Sequence, residues 1–291
     1  MINKLRGLKQ AFFAETLLVV LPPSIIGLLA AGSVSLFSLI LLIAIVAFWD
    51  LGINVINHYS DWKLDKINNK RTYLHKYFSR NELLFLYLVF LISSFLITYI
   101  LLKPSMYFYI VLLIEVLFGI SYSMYIKIKE KFVVNYLWIA LMYGFFSFLM
   151  GFFAVENTSG DLVNYLPIII FITILYFSIS MVKDYSDMKG DSEEGRKTIP
   201  LVLGKDKALK LQYGLITLGY FVLIIFIALG YLNIIMLLTF FFYITIIIIL
   251  SRISKTKDTK HMRKISTYTK VNTLALDITI IVILLFVIHI I

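Results

Sequence analysis

Nine stretches of about twenty residues carry almost no charge, the length a helix needs to cross a hydrocarbon core of ~30 Å. They are approximately residues 12–31, 36–56, 83–102, 107–126, 133–155, 162–182, 211–230, 234–251 and 271–291. Lipid offers no partner to a backbone N–H or C=O, and a helix satisfies its own. The pattern therefore predicts an all-α fold: one membrane domain over residues 1–291, a polytopic bundle of nine transmembrane helices. Pro22 and Pro23 interrupt the first stretch, remove two backbone donors and should kink it. No short apolar run with a small-residue cleavage site precedes it, so no removable signal peptide is expected. With 60% hydrophobic and 15% charged residues, the chain is neither a soluble globule nor a disordered chain nor a coiled coil. The absence of Cys removes disulfides, thiolate metal sites and thiol catalysis together. His58, His75, His261 and His289 show no ligand spacing, which leaves oxygen to hold any metal.

The net charge of +10 first asks where the basic residues sit. Cytoplasmic loops retain Lys and Arg, whereas translocated loops generally do not. With the N-terminus inside, 26 of the 27 Lys and Arg residues fall on one side, and Lys103 alone falls on the other. Nine spans then put the C-terminus outside. The charge excess is thus a topology signal, with attraction to anionic membrane lipids as a second benefit, and no nucleic-acid partner is expected. The expected location is the cell membrane, with the polar chemistry opening to the cytoplasm.

That chemistry collects after the second and sixth stretches. If the second continues as a helix, Asp50, Asn54, Asn57, Asp61 and Asp65 share one face, and the last three form NxxxDxxxD. After the sixth, Asp184, Asp187 and Asp191 form DxxDxxxD. Like charges one helical turn apart repel each other by a few tenths of a kcal/mol per pair, which suggests a cation between them. One such face would pass as a solvated, salt-bridged helix end. Two faces of the same kind on the same side point to metal sites at Asp61, Asp65, Asp184, Asp187 and Asp191. Hard oxygen ligands suit Mg²⁺, which uses one or two carboxylates per ion and fills its shell with water and phosphate oxygens. Surrounding Lys and Arg would meet the remaining phosphate charge. Carboxylates, cations and an apolar bundle together suggest a diphosphate with a long apolar tail.

With these motifs, the chain resembles the UbiA superfamily of intramembrane prenyltransferases over nearly its whole length. Gly195, Thr198 and the stretch IPLVLG from Ile199 to Gly204 follow the second motif as they do in that family. The family's Tyr-and-Lys segment looks like SYSMYIK from Ser121, where the spacing allows Tyr122 with Lys127 or Tyr125 with Lys129. Arg71 matches the Arg after the first motif, with Thr72 in place of the usual Pro. The resemblance implies that Asn57 and the five Asp residues form the catalytic centre with Mg²⁺. It also implies that Arg71, Tyr122, Lys127, Lys183, Lys189 and Arg196 bind the diphosphate of a polyprenyl donor. The metal would stabilise the leaving group, and an acceptor would capture the allylic cation in a space that excludes water. Asn54 and Asp50, deeper on the first motif face, are candidates for the substrate pocket.

Acceptor identity is read from branch features. GRKTIPLVLGK from Gly195, the pair Asn54 and Asn57, and TKVNTL from Thr269 look like enzymes that prenylate 1,4-dihydroxy-2-naphthoate, the aromatic quinone precursor favoured here. KDYSDMKGD from Lys183 and DKIN from Asp65 look like branches acting on glycerol-phosphate lipid precursors and homogentisate, which makes ether formation the alternative. Glu115 and Asp277 are costly to bury mid-span and are expected to pair across helices or act near the acceptor. A cation-coupled transporter is the rival of another class, and it predicts ionisable groups near the midplane or broken helices.

Overall fold

The computed structural model describes residues 4, 7, 17–32, 34–62, 74–156, 160–193, 195–256 and 258–290, and every element among them is helical. In chain order these are α1 (Leu17–Ala30), α2 (Leu36–Ser60), α3 (Leu74–Tyr77), α4 (Arg80–Ile97), α5 (Met106–Ser123), α6 (Val134–Phe152), α7 (Leu162–Ser180), α8 (Val182–Glu193), α9 (Ile199–Leu203), α10 (Lys205–Ala228), α11 (Phe240–Ser254) and α12 (Thr259–Ile290). A π-helical stretch, Leu141–Phe146, lies inside α6. Eight helices among the described residues are long and apolar enough to cross a membrane. The first expected span is represented by the 14 residues of α1.

Polar side chains start several helices. Ser35 accepts the Ser38 N–H at 3.0 Å ahead of α2. A reciprocal Ser79–Glu82 capping box opens α4. Helix α1 continues through Pro22 and Pro23, both buried. Proline at 23 cannot bond the Val19 carbonyl four residues back. That carbonyl meets the Tyr176 hydroxyl of α7 at 2.7 Å instead, and the same hydroxyl lies 2.8 Å from Asp277 Oδ2 on α12. The carbonyl orphaned by Pro23 is thus satisfied by a neighbouring helix.

Close backbone approach sets the packing of α1 on the second half of α6. A Cβ on Gly27 would lie 2.0 Å from the Phe148 carbonyl oxygen, and one on Gly151 would lie 1.7 Å from that of Ser24. Apolar surface gives helices little reason to associate in lipid, so small residues that let backbones touch carry more of the packing.

The buried core forms three clusters: one where α1, α6, α7, α10, α11 and α12 meet, one among α1, α2, α5 and α6, and one where the end of α2 packs on α3 and α4. Burial of the central windows separates inner from outer helices: 56% for α2 and for the span containing α7, against 22% for α4 and α11 and 28% for α10. Among the eight long spans, the two helices that lead into the acidic motifs are therefore the most enclosed, while α4, α10 and α11 turn their apolar side chains outward.

Candidate active site

Helix α2 ends at Ser60, with Asp61 as its C-cap donating its N–H to the Asn57 carbonyl at 3.0 Å. Its polar face descends from Asp61 through Asn57 and Asn54 to the buried Asp50, which accepts the Asn54 side-chain amide at 3.0 Å. Asp65 and Arg71 lie outside the described residues.

Lys129 reaches this face from the turn between α5 and α6. Its ammonium lies 2.5 Å from Asp61 Oδ1, 3.2 Å from Asn57 Oδ1 and 3.1 Å from Ser60 Oγ. Ser123, at the end of α5, donates to the same Asn57 oxygen at 3.1 Å. The Lys129 and Asp61 side chains are only 6% and 13% exposed. Burial pulls the lysine ammonium below its usual range, while the Asp61 carboxylate opposes that pull.

The turn that delivers Lys129 is held in unusual backbone. Tyr125 (φ 47°), Lys127 (φ 50°) and Val133 (φ 60°) all occupy positive φ without glycine, and for a β-branched valine this is a true outlier. Such conformations persist only where the surroundings impose them. Tyr125 is consequently 86% exposed, and Lys127 turns to Glu130 at 3.7 Å with its side chain 58% exposed. Neither expected pairing reaches the site intact: Tyr122 of one and Lys129 of the other face it together. Lys127, expected on the diphosphate, is not brought there.

Helix α8 carries the second motif. Asp184 Oδ2 accepts the Tyr136 hydroxyl at 2.5 Å, and the Tyr136 oxygen accepts the Ile199 N–H at 2.9 Å. Tyr136, fully buried on α6, therefore fastens the first carboxylate of α8 to the start of α9. Asp187 accepts the Ser186 hydroxyl at 3.0 Å. Asp191 is buried, its carbonyl accepts the Arg196 N–H at 2.9 Å, and its carboxylate lies 3.6 Å from the Arg196 guanidinium. Gly195 makes that return possible at φ 70°. Lys183 is exposed. Lys189 lies on α8, and its side chain is outside the described set.

Tyr122 joins the two halves. It lies within electrostatic range of Asp61 from the first motif and of Asp184, Asp191 and Arg196 from the second. Lys129 lies within range of Arg196 as well. Among the described residues no three His, Asp or Glu side chains are gathered at metal-holding distance. The donors present are all oxygen, from Asn57, Asp61, Asp184, Asp187 and Asp191. That set fits a cation which takes one or two carboxylates and completes its shell with water and phosphate oxygens. Ser60, Ser123 and Tyr136 were not anticipated from the sequence, because their parts depend on contacts 48 to 69 residues away in the chain.

Fold and site together define an intramembrane helical bundle with an acidic, cation-rimmed centre where two helices end. Residues 20–274 match the UbiA prenyltransferase family, and the chain belongs to that family. Among its relatives, the digeranylgeranylglyceryl phosphate synthase of Methanosphaera stadtmanae is 26% identical over 160 residues, 54% of this chain. The protein of the same name from Methanococcus aeolicus is 28% identical over 187 residues, 62% of this chain. The matched stretches span 55% and 62% of those relatives' own lengths. A solved UbiA homologue from Archaeoglobus fulgidus, bound to DMAPP and Mg²⁺, superposes with a TM-score of 0.71 at 17% identity, covering 93% of this chain and 98% of that one. At that identity the likeness shows the fold.

Proposed function

We propose that this protein is a Mg²⁺-dependent prenyltransferase that joins a polyprenyl group from its diphosphate to the hydroxyl of a glycerol-phosphate lipid precursor, releasing diphosphate. The observation that carries the reading is that each acidic motif holds a basic side chain in poorly solvated contact, Lys129 on Asn57 and Asp61 and Arg196 on Asp191, with Tyr122 within electrostatic range of both. The A. fulgidus homologue, with a prenyl diphosphate and Mg²⁺, supports the donor and the metal. Both curated relatives are named for a glycerol-phosphate product, which supports the ether-forming alternative over the 1,4-dihydroxy-2-naphthoate acceptor.

In this reading Asn57, Asp61, Asp65, Asp184, Asp187 and Asp191 hold the metal, and Tyr122, Lys129 and Arg196 hold diphosphate oxygens. Mg²⁺ bound there supplies Lewis-acid stabilisation to the departing diphosphate. Lys129 and Arg196 add fixed positive charge where negative charge grows, in a poorly solvated place where such charge counts most. Tyr136 keeps Asp184 in position through its double contact. The apolar walls below exclude the water that would turn an allylic cation into a prenyl alcohol. The distribution of Lys and Arg supports a site open to the cytoplasm of a cell membrane.

Membranes containing the protein, supplied with labelled geranylgeranyl diphosphate and Mg²⁺, test this directly. Product is expected with geranylgeranylglyceryl phosphate, none with 1,4-dihydroxy-2-naphthoate, and none with chelator. Product with the naphthoate alone overturns the acceptor, and product with neither overturns prenyl transfer.

A further inference from the structure

Glu115 sits midway along α5, fully buried, and neither of its carboxyl oxygens meets a hydrogen-bond partner among the described residues. Burying such a group without a partner is costly, and a residue of this kind inside a membrane bundle marks function by default. Its surroundings follow from helix register. Ser123 on α5 bonds Asn57 on α2. Four residues earlier on both helices, Gly119 abuts Ile53, where an added Cβ would lie 2.0 Å from Ile53 Cδ1. Equal steps on both helices mean that α2 and α5 run parallel and in register. Three or four residues further back, Asp50 and Glu115 reach a common depth, about 10 Å below the Asn57–Ser123 contact at 1.5 Å per residue.

Glu115, Gly119 and Tyr122 share one face of α5, since seven residues make nearly two turns. Tyr143 closes the group from α6, within electrostatic range of Asp50, Glu115 and Tyr122. It stands on the π-helical stretch, a distortion found frequently at functional sites. The result is a layer of polar side chains in an apolar bundle, with Tyr122 within electrostatic range both of this layer and of the acidic centre. Asp50 already accepts the Asn54 amide, which leaves Glu115 as the carboxyl with both oxygens open.

We propose that Glu115 holds the acceptor hydroxyl beside the first carbon of the prenyl donor and takes its proton as the new bond forms. This inference rests on the prenyl-transfer reading above. A diphosphate gripped at the level of Tyr122 and Lys129 directs its first carbon down toward Glu115. The donor C–O bond breaks, and its electron pair leaves with the diphosphate. A lone pair on the acceptor oxygen makes the new C–O bond, and the hydroxyl proton passes to the Glu115 carboxylate. Water removes that proton when product departs.

The test uses the full-length protein in lipid nanodiscs with geranylgeranyl diphosphate, Mg²⁺ and geranylgeranylglyceryl phosphate. Glu115→Gln is expected to leave donor affinity and the slow acceptor-free hydrolysis of the donor within about threefold of wild type, while transfer falls by about 100-fold, the range of a lost general base. Glu115→Asp, with its carboxylate kept, should regain part of the transfer that the Gln variant lacks. Transfer by Glu115→Gln within threefold of wild type overturns the proposal. So does an equal fall in hydrolysis and transfer, which would assign Glu115 to donor ionisation or to folding. A Glu115→Asp variant no better than Glu115→Gln overturns it too. If the wild type itself consumes no prenyl donor, the prenyl-transfer reading is what fails.

Discussion

Lys129 illustrates how much one side chain can decide in this site. Its ammonium contacts three oxygens at the end of α2, two of them from the first motif, and both it and Asp61 are withdrawn from water. Removing one member of a buried pair leaves the other uncompensated and typically costs about 3–5 kcal/mol. Lys129→Met should therefore lower thermal stability in metal-free buffer. A divalent cation can neutralise Asp61 in its place, so added Mg²⁺ should raise the melting temperature more in the variant than in wild type. The donor KM should still rise by about tenfold or more, because the charge facing the diphosphate is gone. An equal response of both proteins to Mg²⁺, followed by scanning fluorimetry, would separate Lys129 from the metal site. Tyr136 makes the parallel case for the second motif. Tyr136→Phe strips a donor from Asp184 and an acceptor from the Ile199 N–H, groups whose loss costs about 1–3 kcal/mol each when buried. Activity should fall with kcat more affected than donor binding, as measured by initial rates across donor concentrations, because Asp184 loses its orientation while the diphosphate ligands remain.

At the scale of elements, apolar runs predicted long helices and the structure has them, because the bilayer imposes a length that sequence must match. The acid-bearing face of α2 was legible for the same reason, since helical spacing carries Asp50, Asn54, Asn57 and Asp61 to one side. The turn between α5 and α6 was not legible. Matching the family's Tyr-and-Lys segment leaves Tyr122 with Lys127 or Tyr125 with Lys129, yet the chain reverses there through Tyr125, Lys127 and Val133 at positive φ, with no Gly or Asn at those positions to announce it. Only the tertiary fold shows that Tyr122 and Lys129 face inward together. Packing of α1 was equally hidden, since its glycines look unremarkable in an apolar run. A methyl group on residue 151 would overlap the Ser24 carbonyl, which is backbone and cannot rotate away. Gly151→Ala should force the helices apart at a cost of about 1–3 kcal/mol, the usual range for overpacking. The expected readout is a lower melting temperature in detergent with donor KM little changed, because the crossing lies in the core cluster of α1 and α6, away from the Asp motifs. A melting temperature equal to wild type would mean that this crossing yields more easily than its geometry implies.

For the whole molecule, the charge distribution and the site make a joint claim about orientation. The acidic centre sits where α2 ends and along α8, among the basic segments of the chain, and the loop after α6 lies at the opposite end in the expected topology. The rule that retains Lys and Arg on the cytoplasmic side then predicts donor entry from inside the cell, where anionic lipid would also favour the basic loops. The chain has no native Cys, so single cysteines report accessibility without background. Ser192 is exposed beside Asp191, and Glu156 is exposed after α6. In intact cells a membrane-impermeant maleimide should label Glu156→Cys and spare Ser192→Cys, and permeabilised cells should label both. The opposite pattern would turn the acidic centre outward, and donor and acceptor would then have to reach it from the far leaflet. Labelling of Ser192→Cys in permeabilised cells should also weaken when a non-hydrolysable prenyl diphosphate and Mg²⁺ are bound, because position 192 adjoins a carboxylate assigned to the metal. Protection that appears with both ligands and vanishes with chelator would tie the orientation and the chemistry to the same end of the bundle.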